Sequence, residues 1–251
     1  MMFVDYLDRG SRIDPHAPCM VAPDGTVLMT HEEFTSVSHR VAVALLAEGL
    51  KRGERVAILS QNDAYAFACA VGVIRAGGIW TAGSAANAVD ALVDFYNTAE
   101  CTRLIYHGSL VDVATTVIDR VPTLRTTVSI GSGRAGDPEL TDWMAPEDAT
   151  APMLPVDSGQ NILFVGTGGT TGKPKIVPIN NRQAHLIFVA VTAHANEPEP
   201  PRYICATPIA HAGGSFAFPV IGLGGSIIIH REVVPADILS SIERNRATRI
   251  F

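Results

Sequence analysis

The chain has 251 residues, a hydrophobic content of 47%, a charged content of 18% and a formal net charge of −6. This length provides enough core for one large domain or two small ones, and the composition excludes a disordered protein. The net negative charge argues against nucleic acid as a partner and leaves no basic patch for an anionic membrane. Four scattered cysteines without a Cys-x-x-Cys pair predict reduced thiols in a cytoplasmic protein.

Neither the first residues of the chain nor its long uncharged segment predicts a signal peptide or a membrane span. The first nine residues are acidic and lack the basic region of a signal peptide. Residues 203–229 carry no formal charge and are long enough to span a bilayer, but they contain two prolines and five glycines. We therefore expect a strand, a loop, a short helix and a strand in a buried core, and no membrane span.

The first clear helix signal is a capping box. Thr30 and Glu33 have the spacing of an N-cap residue and its reciprocal partner, and Gly49 stands where a C′ glycine ends a helix. Between them the apolar positions follow helical spacing: Phe34, Val37, Val41 and Leu45.

The remaining predicted elements follow in alternation. Further helices are predicted over 64–75, from an N-cap at Asn87, and over 110–121, 181–194 and 235–246. Strands are predicted over 55–60, 79–81, 104–106, 126–130, 162–165, 203–207 and 248–251.

Strands that alternate with helices at intervals too long for hairpins predict an α/β fold with mainly parallel sheets flanked by helices. Residues 146–159 hold three prolines and three acidic residues, which indicates a connector. We interpret this connector as a possible subdomain seam.

The most informative segment begins at the predicted strand 162–165. Residues 166–172 are only glycine and threonine, and Lys173 and Lys175 follow them. Glycines allow backbone N–H groups to converge on an anion, and threonine hydroxyls add donors. The segment therefore predicts a polyphosphate-binding loop.

Two common phosphate loops do not fit this segment. A Walker A motif ending at Lys173 would need glycine at Thr167 and serine or threonine at Pro174. The dinucleotide motif Gly-x-Gly-x-x-Gly would need glycine at Thr171. Pro174 also disfavours a helix running straight out of the loop.

The loop instead resembles the phosphate-binding loop of the adenylate-forming enzymes, which include acyl-CoA synthetases, peptide-synthetase adenylation domains and luciferases. Their signature is Tyr-Thr-Ser-Gly-Thr-Thr-Gly-x-Pro-Lys-Gly-Val. The positions that match are Thr167, Gly169, Thr170, Thr171, Gly172, Pro174, Lys175 and Val177. Three positions depart from it: Gly166 replaces the aromatic residue, Gly168 the serine and Ile176 the glycine.

The resemblance extends along most of the chain. Residues 53–57, Gly-Glu-Arg-Val-Ala, are similar to the family's Gly-Asp-Arg-Val-Ala, and residues 73–78 resemble its Leu-Lys-Ala-Gly-Gly helix end. Pro208, His211 and Gly214 have the spacing of the family's Pro-Leu-x-His-x-x-Gly motif. Asn87 lacks the proline that usually follows in the family's Asn-Pro turn.

The resemblance implies that residues 1–251 are the N-terminal part of an AMP-binding domain without its C-terminal lid, because family members run on for about as long again. It implies an acid–thiol ligase that uses ATP, Mg²⁺ and coenzyme A, with His211 and Lys175 as catalytic residues and Phe216 or Phe218 near the acyl group. The cofactor-binding residues that it implies are Thr167, Gly168, Gly169, Thr170, Thr171, Gly172, Lys173 and Lys175. The family's magnesium-binding glutamate and catalytic lysine lie in segments for which this sequence has no match, so no metal ligand is predicted.

Several alternatives stay open at this point. The chain could be a catalytically incomplete half that binds a nucleotide or a partner chain, or its parent could load an acyl-carrier protein instead of coenzyme A. The spacing of its motif favours a position near the site for His211, and the alternative is a core histidine bonded to a backbone carbonyl. A homo-oligomer is possible, and the sequence does not identify the carboxylic acid.

Overall fold

The computed structural model of the protein describes residues 3–166, 175–193 and 198–251. In chain order its elements are α1 (Val4–Ile13), β1 (Pro18–Val21), β2 (Val27–Thr30), α2 (His31–Ala47), β3 (Arg55–Ser60), α3 (Ala64–Arg75), β4 (Ile79–Ser84), α4 (Val89–Thr98), β5 (Arg103–His107), α5 (Val111–Arg120), β6 (Thr126–Ile130), α6 (Leu140–Trp143), β7 (Asn161–Gly166), β8 (Ile176–Asn180), α7 (Asn181–Ala193), β9 (Arg202–Cys205), α8 (Gly214–Gly222), β10 (Ser226–Ile229), α9 (Pro235–Asn245) and β11 (Arg249–Ile250).

The strands form two sheets. The six-stranded sheet has the order β6-β5-β3-β4-β7-β8, and the five-stranded sheet has the order β11-β9-β10-β1-β2. One edge pair in each sheet is antiparallel, β7 with β8 and β1 with β2, and the other described pairs are parallel. The mainly parallel α/β prediction is therefore confirmed.

The six-stranded sheet is covered by apolar side chains on both faces. Along β3, Val56 and Ile58 join the core between the two sheets, whereas Ala57 and Leu59 pack with α4 and α5 on the other face. This alternation explains why β3 is a continuous apolar run in the sequence, as is usual for parallel strands.

The five-stranded sheet is covered in the same way. Val21, Ile204 and Ile228 face α9, where Ile238 and Ile242 pack against them. The layers are therefore α4 with α5, the six-stranded sheet, the helices α2, α3 and α8, the five-stranded sheet, and α9. Helix α3 is apolar on all sides because it lies in the middle layer.

Helix ends follow the sequence signals with one exception. The hydroxyl of Thr30 accepts from the backbone N–H of Glu33 at 3.2 Å, and the Glu33 carboxylate accepts from the N–H of Thr30 at 2.7 Å. Gly49 has φ +77°, as its position after α2 requires. The prediction that Asn87 caps α4 is wrong: the cap position is Ala88, with no side-chain hydrogen bond, because the helix begins one residue later than the polar signal suggested.

The uncharged segment 203–229 and the proline-rich segment 146–159 have the secondary structure that the sequence predicts. Residues 203–229 contain β9, a turn, α8 and β10, and no helix among the described residues is long and apolar enough to cross a membrane. Residues 146–159 contain no helix or strand and link α6 to β7 of the six-stranded sheet. Their role as a domain boundary stays a prediction.

The four cysteines are free thiols inside the core. Burial raises the pKa of Cys101 and Cys205 to about 12 and raises the pKa of Cys19 and Cys69 further. Because the thiolate is the reactive species, we expect Ellman's reagent to react very slowly with the native chain and to titrate four thiols after guanidinium unfolding. Fast reaction of native protein with unchanged circular dichroism would contradict this burial.

Candidate active site

The predicted phosphate loop has well-defined flanks. Strand β7 ends at Gly166, and Gly166 pairs directly with Ile176 at the start of the antiparallel strand β8. Seven of the eight predicted cofactor-binding positions, residues 167–173, lie outside the described residues. The eighth, Lys175, is exposed and directly precedes β8.

The flanks lie at the edge of the sheet where ligands usually bind. Strand β7 runs parallel to β4, with Val165 opposite Ala82, so Gly166 is at the carboxyl end of the parallel strands. In open α/β sheets, ligands bind outside the carboxyl ends of the strands. The position of this loop therefore agrees with a role in binding.

His211 lies beside the same flank. Its Nε2 atom is 3.1 Å from the carbonyl oxygen of Gly166, which can only accept, so Nε2 carries the proton. The imidazole is exposed. Among the described residues, the hydrogen bond seen for this side chain is made by Nε2, and none is seen for Nδ1. Two motifs separated by 45 residues in the sequence thus meet at one carbonyl group.

The backbone that carries His211 is unusual. Residues 209–213 form an irregular turn before α8, and the backbone is kinked at His211, whose φ of −132° and ψ of −134° are not helical. The N–H of His211 donates to the carbonyl of Pro208 at 2.9 Å.

The glycines after His211 have a steric explanation. A Cβ atom on Gly214 would overlap the carbonyl oxygen of Ile209, and one on Gly213 would lie 2.6 Å from the carbonyl oxygen of Thr207. These neighbours are backbone atoms that cannot rotate away. The Pro-x-x-His-x-x-Gly spacing therefore reflects the closeness of this turn to the start of α8.

A residue that the sequence did not reveal supports this turn from the other sheet. Asn62 follows β3, is 7% exposed, and its Oδ1 atom accepts from the N–H of Ile209 at 2.8 Å. Its Nδ2 atom donates toward the carbonyl oxygens of Cys205, Thr207 and His230 at 3.3, 3.0 and 2.9 Å. The available sequence signal was an asparagine at the carboxyl end of a buried strand, which is common and unspecific.

A cleft of about 270 Å³ opens beside the turn. Its lining includes Ser60, Ser84, Pro208 and Ala210. Among the described residues that line it, Arg231 is the one with a charged side chain. The cleft therefore connects the carboxyl ends of both sheets next to His211.

A small ionic group holds Arg231 in place. The Asp63 carboxylate caps α3 by accepting from the N–H groups of Tyr65 and Ala66. Its other oxygen is 3.2 Å from Arg231 Nη2 and 3.8 Å from His107 Nε2. Since Arg231 is 56% exposed, most of its donors stay available to a ligand.

The two phenylalanines after His211 have different surroundings. Phe218 is buried, with its ring centroid 4.8 Å from that of Phe3 and close to the rings of Phe67 and Trp80. Phe216 is partly buried and stacks on Phe251 at 4.4 Å. Phe216 is thus the better candidate for contact with an acyl group.

Comparison with known proteins assigns the chain to a family. A family model described as "AMP-binding enzyme" matches residues 7–251, so the chain belongs to the AMP-binding enzyme family. This confirms the resemblance to the adenylate-forming enzymes.

Individual relatives cover the chain well but extend beyond it. Feruloyl-CoA synthase of an Amycolatopsis species is 29% identical over 255 residues, covering 97% of this chain and 47% of that protein. The medium/long-chain-fatty-acid–CoA ligase FadD8 of Mycobacterium tuberculosis is 38% identical over 104 residues, covering 41% of this chain and 18% of that protein. The chain spans about half the length of feruloyl-CoA synthase.

The fold also matches solved structures. The amide bond synthetase McbA from Marinactinospora thermotolerans superposes with a TM-score of 0.86 at 24% identity, covering 100% of this chain and 49% of that one. At this identity the match supports the fold alone.

Proposed function

We propose that this chain is the N-terminal part of an acid–thiol ligase that activates a carboxylic acid with ATP and transfers the acyl group to coenzyme A. The observation that carries the proposal is the contact between His211 and Gly166, because it joins the substrate-side motif to the flank of the phosphate loop. Membership of the AMP-binding enzyme family supports the same chemistry.

The proposed reaction has two steps. A carboxylate oxygen attacks the α-phosphorus of ATP, the bond from that phosphorus to the bridging oxygen breaks, and pyrophosphate leaves. The thiol sulfur then attacks the acyl carbon, its proton is lost, and AMP leaves as the thioester forms. The main obstacle in the first step is repulsion between two anions, so donors placed around the phosphates lower the barrier.

The loop residues supply those donors in this proposal. Thr167, Gly168, Gly169, Thr170, Thr171 and Gly172 would surround the β- and γ-phosphates. Lys173 and Lys175 would offset their charge, and they are two of the three lysines in the chain. His211 would contact the reacting carboxylate beside Gly166.

The described residues show no self-contained metal site. No three of their His, Cys, Asp or Glu side chains are grouped to hold a metal ion. Mg²⁺ commonly binds through one or two carboxylates together with substrate phosphates, and we assign no step through it to these residues.

Comparison with relatives is the only guide to which carboxylic acid is activated and which thiol accepts the acyl group. The relatives include a feruloyl-CoA synthase and a medium/long-chain-fatty-acid–CoA ligase, so aromatic and fatty acids are the first to test. The cleft beside His211 would admit a thiol to the acyl carbon, and a carrier-protein thiol would use it equally well. Coverage of 47% of feruloyl-CoA synthase favours a second candidate for the isolated chain, a half-domain that binds nucleotide without turnover.

Calorimetric titration tests the nucleotide site in the 251-residue chain. We expect ATP with Mg²⁺ to bind at least tenfold more tightly than AMP, because only ATP carries the phosphates that the loop would hold. Thr170→Val combined with Lys175→Ala should weaken ATP binding about tenfold or more, since hydrogen bonds to charged groups contribute about 1.5–3 kcal/mol.

The matched control is Lys51→Ala, which removes the exposed lysine that lies outside the loop. Equal ATP affinity in the double variant, the control and the unmodified chain would refute the loop assignment. Exchange of labelled pyrophosphate into ATP, measured with a panel of acids on this chain and on any longer natural polypeptide containing it, separates a complete enzyme from a half-domain.

A further inference from the structure

Asn62 lies where the carboxyl ends of the two sheets meet. It follows β3 of the six-stranded sheet, while all four of its hydrogen-bond partners belong to the segment 205–230 around the five-stranded sheet. Three partners, Cys205, Thr207 and Ile209, precede His211 by two to six residues. The side chain therefore connects the first sheet to the backbone that presents the histidine.

The chemistry of this position suits a primary amide. Three carbonyl oxygens face Nδ2 and one N–H group faces Oδ1, so a side chain with one donor end and one acceptor end is required. Rotating the amide by 180° would place its oxygen against three carbonyl oxygens. The orientation of Asn62 is therefore fixed by its partners.

The turn is anchored in the core by the buried side chain of Ile209, whose backbone N–H donates to Asn62. His211 departs from helical angles, and its N–H bonds only locally, to the carbonyl of Pro208. The carbonyl oxygen of Thr207 accepts from the Asn62 amide on one side and lies close to Gly213 on the other. A shift of Asn62 or of Gly213 would therefore move the turn. The 3.1 Å contact from His211 to Gly166 depends on that shape.

We propose that Asn62 is a positioning residue for His211, holding the 209–213 turn so that the imidazole lies against the flank of the phosphate loop. This inference rests on the proposed function, since it assigns Asn62 a part in adenylation. A residue that only holds His211 in place can still control the rate, because displacement of a reacting group by about 1 Å can reduce a rate about 10²-fold.

The matched control is Asn181. It is also buried, 4% exposed, and it also joins distant segments, since its Oδ1 atom accepts from the N–H of Phe3. It lies next to Asn180, which pairs with Asn161 at the opposite end of β7, roughly 17 Å from Gly166 along the strand.

The test measures pyrophosphate exchange in the longest natural polypeptide that contains this chain, together with unfolding by circular dichroism. We expect Asn62→Ala to lower kcat about 10²-fold with less than threefold change in the KM for ATP, and Asn181→Ala to change neither. In a His211→Ala background, Asn62→Ala should lower kcat no further, because the two residues act through one interaction. If Asn62→Ala does not fold, Asn62→Ser, whose hydroxyl keeps one donor, replaces it in the same cycle.

Unchanged kcat in a folded Asn62 variant, or a full additional loss in the His211→Ala background, would overturn the proposal. A second readout is independent of turnover: the Cε1–H resonance of His211, assigned by its loss in His211→Ala, should shift in Asn62→Ala and stay unchanged in Asn181→Ala. If the unmodified protein shows no exchange with any acid, the proposed function fails, while this resonance still tests whether Asn62 positions His211.

Discussion

Asp8→Ala is expected to lower the free energy of unfolding by about 3–5 kcal/mol, because it leaves a buried guanidinium without its counter-charge. Arg75 at the end of α3 is 7% exposed and donates to both carboxylate oxygens of Asp8 on α1, at 2.5 and 3.0 Å. Its Nε atom also donates to Ser38 on α2 at 3.2 Å. One side chain thus joins helices α1, α2 and α3.

The matched control is the exposed pair of Arg120 and Asp90. Their atoms approach to 2.6 Å, closer than most surface pairs, yet the side chains are 47% and 77% exposed. Asp90→Ala should therefore cost less than about 1 kcal/mol. Urea unfolding followed by tryptophan fluorescence gives both values, and equal losses at the two sites would show that burial does not set the cost.

A double substitution separates the ion pair from the space that it fills. Asp8→Leu with Arg75→Met removes both charges, so the loss of stability should be smaller than in Asp8→Ala. A larger loss in the double variant would mean that packing by the charged side chains, and not the unpaired charge, controls stability here.

Gly214→Ala is expected to destabilise the protein by about 1–2 kcal/mol and to displace His211. Gly214 has helical angles, φ −64° and ψ −37°, so alanine would gain up to about 1 kcal/mol in helix propensity. The overlap of its Cβ with the Ile209 carbonyl costs more, since overpacking typically costs about 1–3 kcal/mol. Both the unfolding midpoint in urea and the His211 Cε1–H resonance should shift.

Gly159→Ala provides the control for this prediction. A Cβ at Gly159 would meet only the Asp157 carboxylate, at 3.5 Å, and Gly159 does not have a positive φ. Its stability should change by less than about 0.5 kcal/mol. A neutral result at Gly214 as well would show that the 209–213 turn can move away from α8 without cost.

Local signals in the sequence predicted most of the secondary structure. The strand over 55–60 and the helix over 64–75 have the predicted bounds, because a continuous apolar run and a helix stop at Gly77 and Gly78 are both short-range features. The Asn87 cap failed because a polar residue near a helix start is only a local preference, and α4 begins at Val89 with Ala88 at the cap position. Helix α1 was not predicted although Val4 and Leu7 follow helical spacing, and the short helix α6 and strands β1, β2 and β8 were not predicted either.

The candidate site was predicted in part. The motif spacing identified His211, and the structure places it against Gly166, the flank of the predicted loop. Residues 167–173 lie outside the described residues, so their contacts with phosphate stay a prediction. Asn62 was missed because its partners are 143 to 168 residues away and no local pattern records them.

The sequence by itself determined the α/β class, the positions of most helices and strands, and the two motifs that define the family. These properties depend on residues within about one helical turn or a few strand positions of each other, which the sequence displays directly. Only the tertiary structure decided that β1 pairs with β10 and that the strands divide into two sheets. It also decided that Asn62, Gly166 and His211 meet at one edge, because contacts between distant segments depend on how the layers pack.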